Sequence, residues 1–340
     1  MTVTLSVQGA EMTIVFIGTG GTISNRGTAP DNFVDYLDVG TMMPADELLA
    51  GHPEIQQISQ TRVEPFGTLR SKYMTSGHWL QLAERLTSVL ADDDIRGAVV
   101  SHGTGTLEET AWFLHLTVNS AKPIVLVGAQ RPGSTLGSDT PLNLLDAFRV
   151  AAHPRSYGIG VAVVMNRQIH SARDVVKAAN HRLDALQSPV RGPLGVLHAD
   201  HVVEYWRRPV HPHTTTSAFV DVGTPLPRVD MVYAYTDADA TALEAFRAAG
   251  ATGLVVVGYP PGTLTKSLDD AVDAAIADGI VVVQASRAYF EPAVMTRAGL
   301  IERGLVANSD LAPQKARILL QLALAQRMDR AAIHKTFAAY

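Results

Sequence analysis

The chain contains no cysteine. That absence excludes disulfides, thiolate catalysis and cysteine-based zinc sites together. Aromatic residues are sparse, at 6%. No apolar run approaches the ~18 residues that a membrane-spanning helix needs. Neither sign of charge dominates: 28 Lys and Arg stand against 33 Asp and Glu, a net charge of −5 over 340 residues. So mild an acidic balance leaves no electrostatic footprint for a nucleic acid or an anionic membrane. Charged residues at 18% and hydrophobic residues at 46% also exclude a disordered or fibrous chain. Met1 to Glu11 has no basic segment leading into an apolar stretch, so no signal peptide is expected and a cytoplasmic location is.

What is present is alternation. Short β-branched runs at 13–17, 97–101, 123–128 and 161–165 are apolar on both faces, as strands buried between helix layers of a parallel sheet are. Between them Trp79, Leu82, Leu86 and Val89, then Leu107, Ala111, Leu114 and Val118, recur at helical spacing. Strands alternating with helices predict an α/β fold with right-handed crossovers. The pattern lapses at 204–227, where prolines 209, 212, 225 and 227 carry no period and read as an extended linker. It restarts with strands at 229–234, 253–258 and 279–285 and helices at 240–249 and 268–277. Gly250 and Gly279 follow those helices where a left-handed C-cap is wanted. A last helix is expected from Pro313 to Gln326, with proline in its first turn. The expected organisation is two α/β domains, a larger one at 1–203 and a smaller one at 228–340, joined by the linker 204–227.

Several familiar motifs fail on inspection. Gly18-Thr19-Gly20-Gly21-Thr22 begins like a dinucleotide fingerprint, but Ile23 stands where the third glycine belongs. Lys266-Ser267 follows Thr265 where a phosphate-binding loop requires glycine. No G-x-S-x-G elbow occurs. His198, His201, His211 and His213 cluster near the linker without an H-E-x-x-H pair, so they read as solvated loop residues and no metal is expected. No cofactor is expected either.

Two strand ends carry loops rich in Gly and Thr: Gly18-Thr19-Gly20-Gly21-Thr22-Ile23 and Ser101-His102-Gly103-Thr104-Gly105-Thr106. Open α/β sheets place ligand sites outside the carboxyl ends of their strands. Glycines let backbone N–H groups crowd a ligand, and hydroxyls act as nucleophiles or donors. Thr106 and Glu109 have the spacing of a capping box, so the second loop is expected to feed a helix N-terminus, which favours a developing oxyanion.

Together the loops resemble the T-G-G-T-I and H-G-T-D-T motifs of the bacterial-type L-asparaginases. Further matches follow in order: Leu107-Glu108-Glu109-Thr110-Ala111, Lys122-Pro123 through Gly128-Ala129, Arg131-Pro132, Asn166, Arg173-Asp174-Val175-Val176-Lys177, Gly192-Pro193-Leu194-Gly195 and Pro313-Gln314-Lys315-Ala316-Arg317. The resemblance covers nearly the whole chain. It implies a two-domain amidohydrolase that works through an acyl-enzyme, forms an intimate dimer (usually paired into a tetramer), and builds each site from two subunits. It implies Thr22 as nucleophile, Tyr36 as the lid tyrosine beside it, and Thr104 with Lys177 as the second catalytic pair. It also implies Ser71 on the substrate's α-carboxylate, eight residues before Trp79, and Gly21 and Gly103 against the substrate.

The departures concentrate on the substrate's α-ammonium. The family aspartate is Gly105, the glutamine beside the serine is Lys72, and the partner-subunit asparagine aligns with Thr263. The partner-subunit glutamate has no clear match, and Glu291 lies nearby at a different spacing. A charge-assisted hydrogen bond is worth ~1.5–3 kcal/mol, so its loss matters. A lysine near an ammonium is repulsive besides. The expected substrate is therefore a small primary amide, asparagine-like, without a free α-ammonium or with an acidic or acylated group in its place. L-asparagine itself with a rearranged amino-group site, and a non-catalytic amide-binding homologue, are the alternatives. Losing the neighbouring carboxylate should also lower the pKa of Lys177.

Overall fold

The computed structural model describes residues 12–210, 214–288, 291–293 and 297–340. Met1 to Glu11 and the linker residues His211 and His213 lie outside the described residues. The chain divides into two compact units that change over between residues 209 and 216.

In the first unit eight strands form one sheet: β1 (Thr13–Gly18), β2 (Gln60–Glu64), β3 (Ile95–Ser101), β4 (Ile124–Val127), β5 (Val161–Met165), β6 (Gln168–Ser171), β7 (Gly195–Leu197) and β8 (Val203–Tyr205). Their spatial order is β8-β7-β6-β5-β4-β3-β1-β2. β1 to β5 run parallel. The last three strands are antiparallel additions. The sheet is thus parallel at its centre and antiparallel at one edge, where the sequence pattern predicted parallel strands only. The cause is local: Asn166 and Arg167, at φ 48° and 61°, turn β5 straight back into β6, and two residues cannot make a parallel crossover. Glu204 and Tyr205, expected in the linker, belong to β8 instead, because they pair with Val196 and Gly195 of β7.

Alternation along the strands builds a core on each face of this sheet. Ile14, Phe16, Val99, Val125 and Val127 meet Leu144, Ala147, Phe148 and Ala151 of helix Thr140–Ala152 in one cluster. Val15 and Ile17 face the other way and are equally buried. Two further helices, α1 (Ser76–Leu90) and α2 (Leu107–Thr117), pack on each other. Trp79 stacks there on Phe113 with ring centroids 5.3 Å apart. We denote helix Thr140–Ala152 α3.

The second unit has its own parallel sheet, β9 (Val229–Tyr233), β10 (Gly253–Gly258), β11 (Val281–Ser286) and β12 (Val306–Ala307), in that order. Helices α4 (Thr241–Ala248) and α5 (Lys266–Ala277) run close to their expected spans. Gly250 and Gly279 do follow them at φ 82° and 86°, the left-handed conformation that glycine adopts without a Cβ clash. The last expected helix is α6 (Pro313–Ala325), followed by α7 (Arg330–Ala339). No helix among the described residues is long and apolar enough to cross a membrane.

One topological feature positions the site. The parallel strands lie in the order 2-1-3-4-5. The chain leaves β1 toward one side for β2 and returns to the other side for β3. The carboxyl ends of β1 and β3 therefore diverge at a switch point, where open α/β sheets leave a crevice.

Candidate active site

Both Gly/Thr loops leave the sheet at that switch point. The Thr19 N–H and hydroxyl both donate to the Ser101 carbonyl, at 3.0 and 2.9 Å, tying the first loop to the end of β3. A Cβ on Gly21 would stand 2.3 Å from Gly103 Cα, and Gly21 has φ +87°. The loops touch backbone to backbone, which no larger residue at 21 permits. Leu69 N–H donates to the Thr19 carbonyl at 2.9 Å and draws in the segment carrying Arg70, Ser71 and Lys72. Thr106 is the N-cap residue of α2, but the expected capping box does not form. Its φ of −129° and ψ of 12° leave the extended cap conformation. The Thr106 hydroxyl donates instead to the Ser71 carbonyl at 3.0 Å.

Between the loops opens a cleft of about 520 Å³. Gly21, Thr22, Tyr36, Ser71, Lys72, Gly103, Thr104, Gly105 and Lys177 all line it. Thr263 and Glu291, the remaining expected positions, lie in the second unit, where both are exposed. There Thr263 and Tyr259 exchange backbone hydrogen bonds of 2.8 Å.

Two hydrogen-bonded pairs occupy the cleft. Thr22 Oγ1 lies 2.9 Å from Tyr36 Oη, and both residues are buried. Tyr36 opens the helical turn Tyr36–Val39. Asn32 Oδ1 holds that turn by accepting from the N–H groups of Val34, Asp35 and Tyr36 at 3.3, 2.9 and 3.1 Å. Burial pushes the Tyr36 phenol pKa up, the hydrogen bond with Thr22 opposes this, and the Asp139 carboxylate adds to the rise. In the second pair, Lys177 Nζ donates to Thr104 Oγ1 at 2.6 Å. Burial lowers the Lys177 pKa, while the negative charge of Glu108 works against the shift. The same carboxylate accepts the Lys177 backbone N–H at 2.6 Å. Lys177 thus has a carboxylate beside it after all, supplied by the first turn of α2, and its pKa still falls.

Below the second loop lies a buried chain of hydrogen bonds. His102 Nδ1 meets the Gly103 carbonyl at 2.8 Å, and His102 Nε2 meets Thr110 Oγ1 at 3.0 Å. Trp79 Nε1 donates to Thr110 Oγ1 at 2.9 Å. Complete burial lowers the His102 pKa to about 4, so the ring is neutral near pH 7. A carbonyl only accepts, so Nδ1 carries the proton, Nε2 accepts from Thr110, and Thr110 accepts from Trp79.

The departures are visible as shape and charge. Ser71 Oγ stands 2.9 Å from where a Cβ of residue 105 would lie. The Lys72 ammonium, exposed, is 5.2 Å from the Tyr73 ring centroid. Asn25, Asp35, Asp38, Arg70, Gln130, Asn180 and His181 also line the cleft and were not foreseen. Gln130 directly follows Ala129 of a quoted motif, and Asn180 and His181 follow Lys177 by three and four positions. Nothing in type or spacing singled out Asp35 and Asp38. They reach the cleft only because the segment around Tyr36 folds over it, and Arg70 pairs with Asp38 at 3.1 Å. Among the described residues no group of His, Asp or Glu side chains gathers as metal ligands.

Comparison with known proteins matches nearly the whole chain. A family model described as asparaginase, N-terminal, matches residues 13–210. One described as the glutaminase/asparaginase C-terminal domain matches residues 228–337. The chain is 38% identical over 328 residues to a probable periplasmic L-asparaginase of Haemophilus influenzae, covering 95% of this chain and 92% of that protein. It is 36% identical over 335 residues to a glutaminase-asparaginase of Pseudomonas fluorescens biotype A, covering 96% and 90%. The crystal structure of a probable cytoplasmic L-asparaginase from Campylobacter jejuni superposes with a TM-score of 0.87 at 34% identity, over 97% of this chain and all of that one. Matched by both domain models and by relatives along nearly its whole length, the chain belongs to the asparaginase family of amidohydrolases.

Proposed function

We propose that the chain hydrolyses a primary carboxamide to a carboxylate and ammonia, with Thr22 as nucleophile and an α-amino pocket altered from that of the family it resembles. The observation that carries this reading is the pairing, in one cleft, of Thr22 with Tyr36 at 2.9 Å and of Thr104 with Lys177 at 2.6 Å. A threonine hydroxyl is inert at its own pKa and needs a group that takes its proton. Tyr36, its pKa raised, is protonated at neutral pH. It therefore accepts the Thr22 proton while giving its own to the departing nitrogen. Thr22 Oγ bonds the amide carbon, the carbon–nitrogen bond breaks, and ammonia leaves an acyl-threonine ester. Water then adds to the ester, its proton drawn off by Lys177 through Thr104, and the carboxylate is released. Backbone N–H groups of the two glycine loops hold the oxyanion in both steps.

Gly105 and Lys72 support an amide without a free α-ammonium. The first provides no carboxylate and the second adds a cation at the rim of the same cleft. A second reading, L-asparagine with a rearranged amino-group site, draws on Asp35 and Asp38, carboxylates that line the cleft from the tyrosine segment. The resemblance also supports a homo-oligomer, dimeric or tetrameric, that completes the site. Size-exclusion chromatography with light scattering checks the oligomer.

Ammonia release from L-asparagine and from succinamate, which lacks only the amino group, separates the readings. Succinamate is expected to turn over at least as well, and Thr22→Ala to lower kcat by ~10³-fold or more. L-asparagine preferred by about 100-fold, the worth of an intact charge-assisted bond, sinks the altered pocket. Undiminished turnover by Thr22→Ala sinks the nucleophile.

A further inference from the structure

The segment bearing Tyr36 is held by a second loop that the mechanism above does not use. Gly27 N–H donates to Ser134 Oγ at 2.8 Å. Leu136 N–H donates to the Pro30 carbonyl at 2.8 Å. The Arg131 guanidinium lies 5.5 Å from the Phe33 ring centroid. These contacts come from positions 131, 134 and 136 of a loop that is itself heavily cross-braced. The Asp139 carboxylate accepts from the N–H groups of Gln130 and Arg131, at 3.0 and 2.9 Å, and from Asn143 Nδ2 at 2.9 Å. Thr140 Oγ1 donates to the Arg131 carbonyl at 3.1 Å, and Arg131 Nη1 to the Gly137 carbonyl at 3.0 Å. One end of the loop is thereby anchored to the start of α3.

We infer that the loop 130–139 is a rigid platform that registers Tyr36 on Thr22, and that Ser134 is its positioning residue. The path runs partly through hydrogen bonds and partly along short stretches of the chain. Asp139 braces the platform, Ser134 holds the tyrosine segment at Gly27, Asn32 carries that anchorage into the turn of Tyr36, and Tyr36 meets Thr22. Ser134 is the informative link because it is exposed and bonds the segment through its hydroxyl alone. Removing it leaves the cores of the unit untouched. It loosens only the distance on which the Thr22–Tyr36 proton transfer depends, and a hydrogen bond geometry shifted by a fraction of an ångström transfers protons poorly.

This inference rests on the roles proposed for Thr22 and Tyr36, and its test separates from theirs. Ser134→Ala is expected to lower kcat/KM about fivefold, the worth of one ordinary hydrogen bond, with an unchanged melting temperature. Ser134→Thr, which keeps the hydroxyl, is expected to recover the rate. In a Tyr36→Phe background the same Ser134→Ala change should cost less than about twofold, because the group being positioned is gone. An equal loss in both backgrounds, or no loss in either, overturns the inference while leaving Thr22 as nucleophile intact; only an active Thr22→Ala overturns the latter. If Tyr36→Phe turns over too slowly to measure, amide hydrogen exchange decides. Residues 27–36 should exchange about fivefold faster in Ser134→Ala than in the parent, and unchanged protection there overturns the platform.

Discussion

Gly105 is the position where one missing side chain changes what the cleft can hold. Its backbone is not in the left-handed region, so an aspartate fits conformationally and meets only the Ser71 hydroxyl, 2.9 Å from the new Cβ. A hydroxyl rotates away cheaply. Gly105→Asp combined with Lys72→Gln is therefore expected to raise the kcat/KM ratio of L-asparagine to succinamate at least ~10-fold, by restoring one charge-assisted bond. A ratio unchanged in steady-state ammonia assays refutes this account of specificity. Lys177 offers a second residue-level prediction. Only its neutral amine accepts a proton, and it acts in deacylation, so kcat for a substrate limited by that step should rise with pH as the ammonium ionises, along a limb centred below the ordinary 10.5 because burial lowers its pKa. Glu108 opposes that shift. Glu108→Gln, which keeps an acceptor for the Lys177 N–H, should move the limb to still lower pH in a pH–rate profile.

Among the elements, α1, α2 and the second loop act as one because of the His102–Thr110–Trp79 chain. Thr110→Val keeps the shape but leaves His102 Nε2 and the Trp79 N–H without their partner. Each orphaned buried group costs ~1–3 kcal/mol, so a loss of about 2–6 kcal/mol is expected in urea unfolding, with Thr110→Ser close to the parent. Elements also mark how far the sequence could be read. The central strands and helices α1, α2, α4, α5 and α6 were legible because their apolar periods are strong over many residues, whereas β2, α3 and α7 were not read from the sequence. The edge strands β6, β7 and β8 were not, because strands of three or four residues carry too little period to distinguish them from loop. The Thr106 cap failed for a different reason. Its spacing matched, but the Ser71 carbonyl, 35 positions away in sequence, competes for the hydroxyl.

For the whole molecule, complete burial of His102 ties stability to pH. Its folded pKa of about 4 lies below the unfolded value of 6.5, so between the two the unfolded chain binds more protons. Its contribution is complete above pH 6.5 and is lost as pH falls toward 4, by up to ~3 kcal/mol. Urea midpoints at pH 7 and pH 4.5 should therefore converge less in the parent than in His102→Asn, whose neutral side chain does not titrate. Equal pH dependence in the two proteins removes His102 as the cause.

The sequence by itself determined the α/β class, the long central elements, the glycine caps and the family, because each is carried by residues near one another or by motifs held in order along the chain. The resemblance named the residues that pair, and only the tertiary structure decided how they are brought together. Thr22 and Tyr36 are 14 residues apart and Thr104 and Lys177 are 73 apart. No local period encodes either distance. They are set by the order of strands in the sheet, which opens a crevice between β1 and β3, and by a backbone contact between Gly21 and Gly103 that draws the two loops to a single cleft.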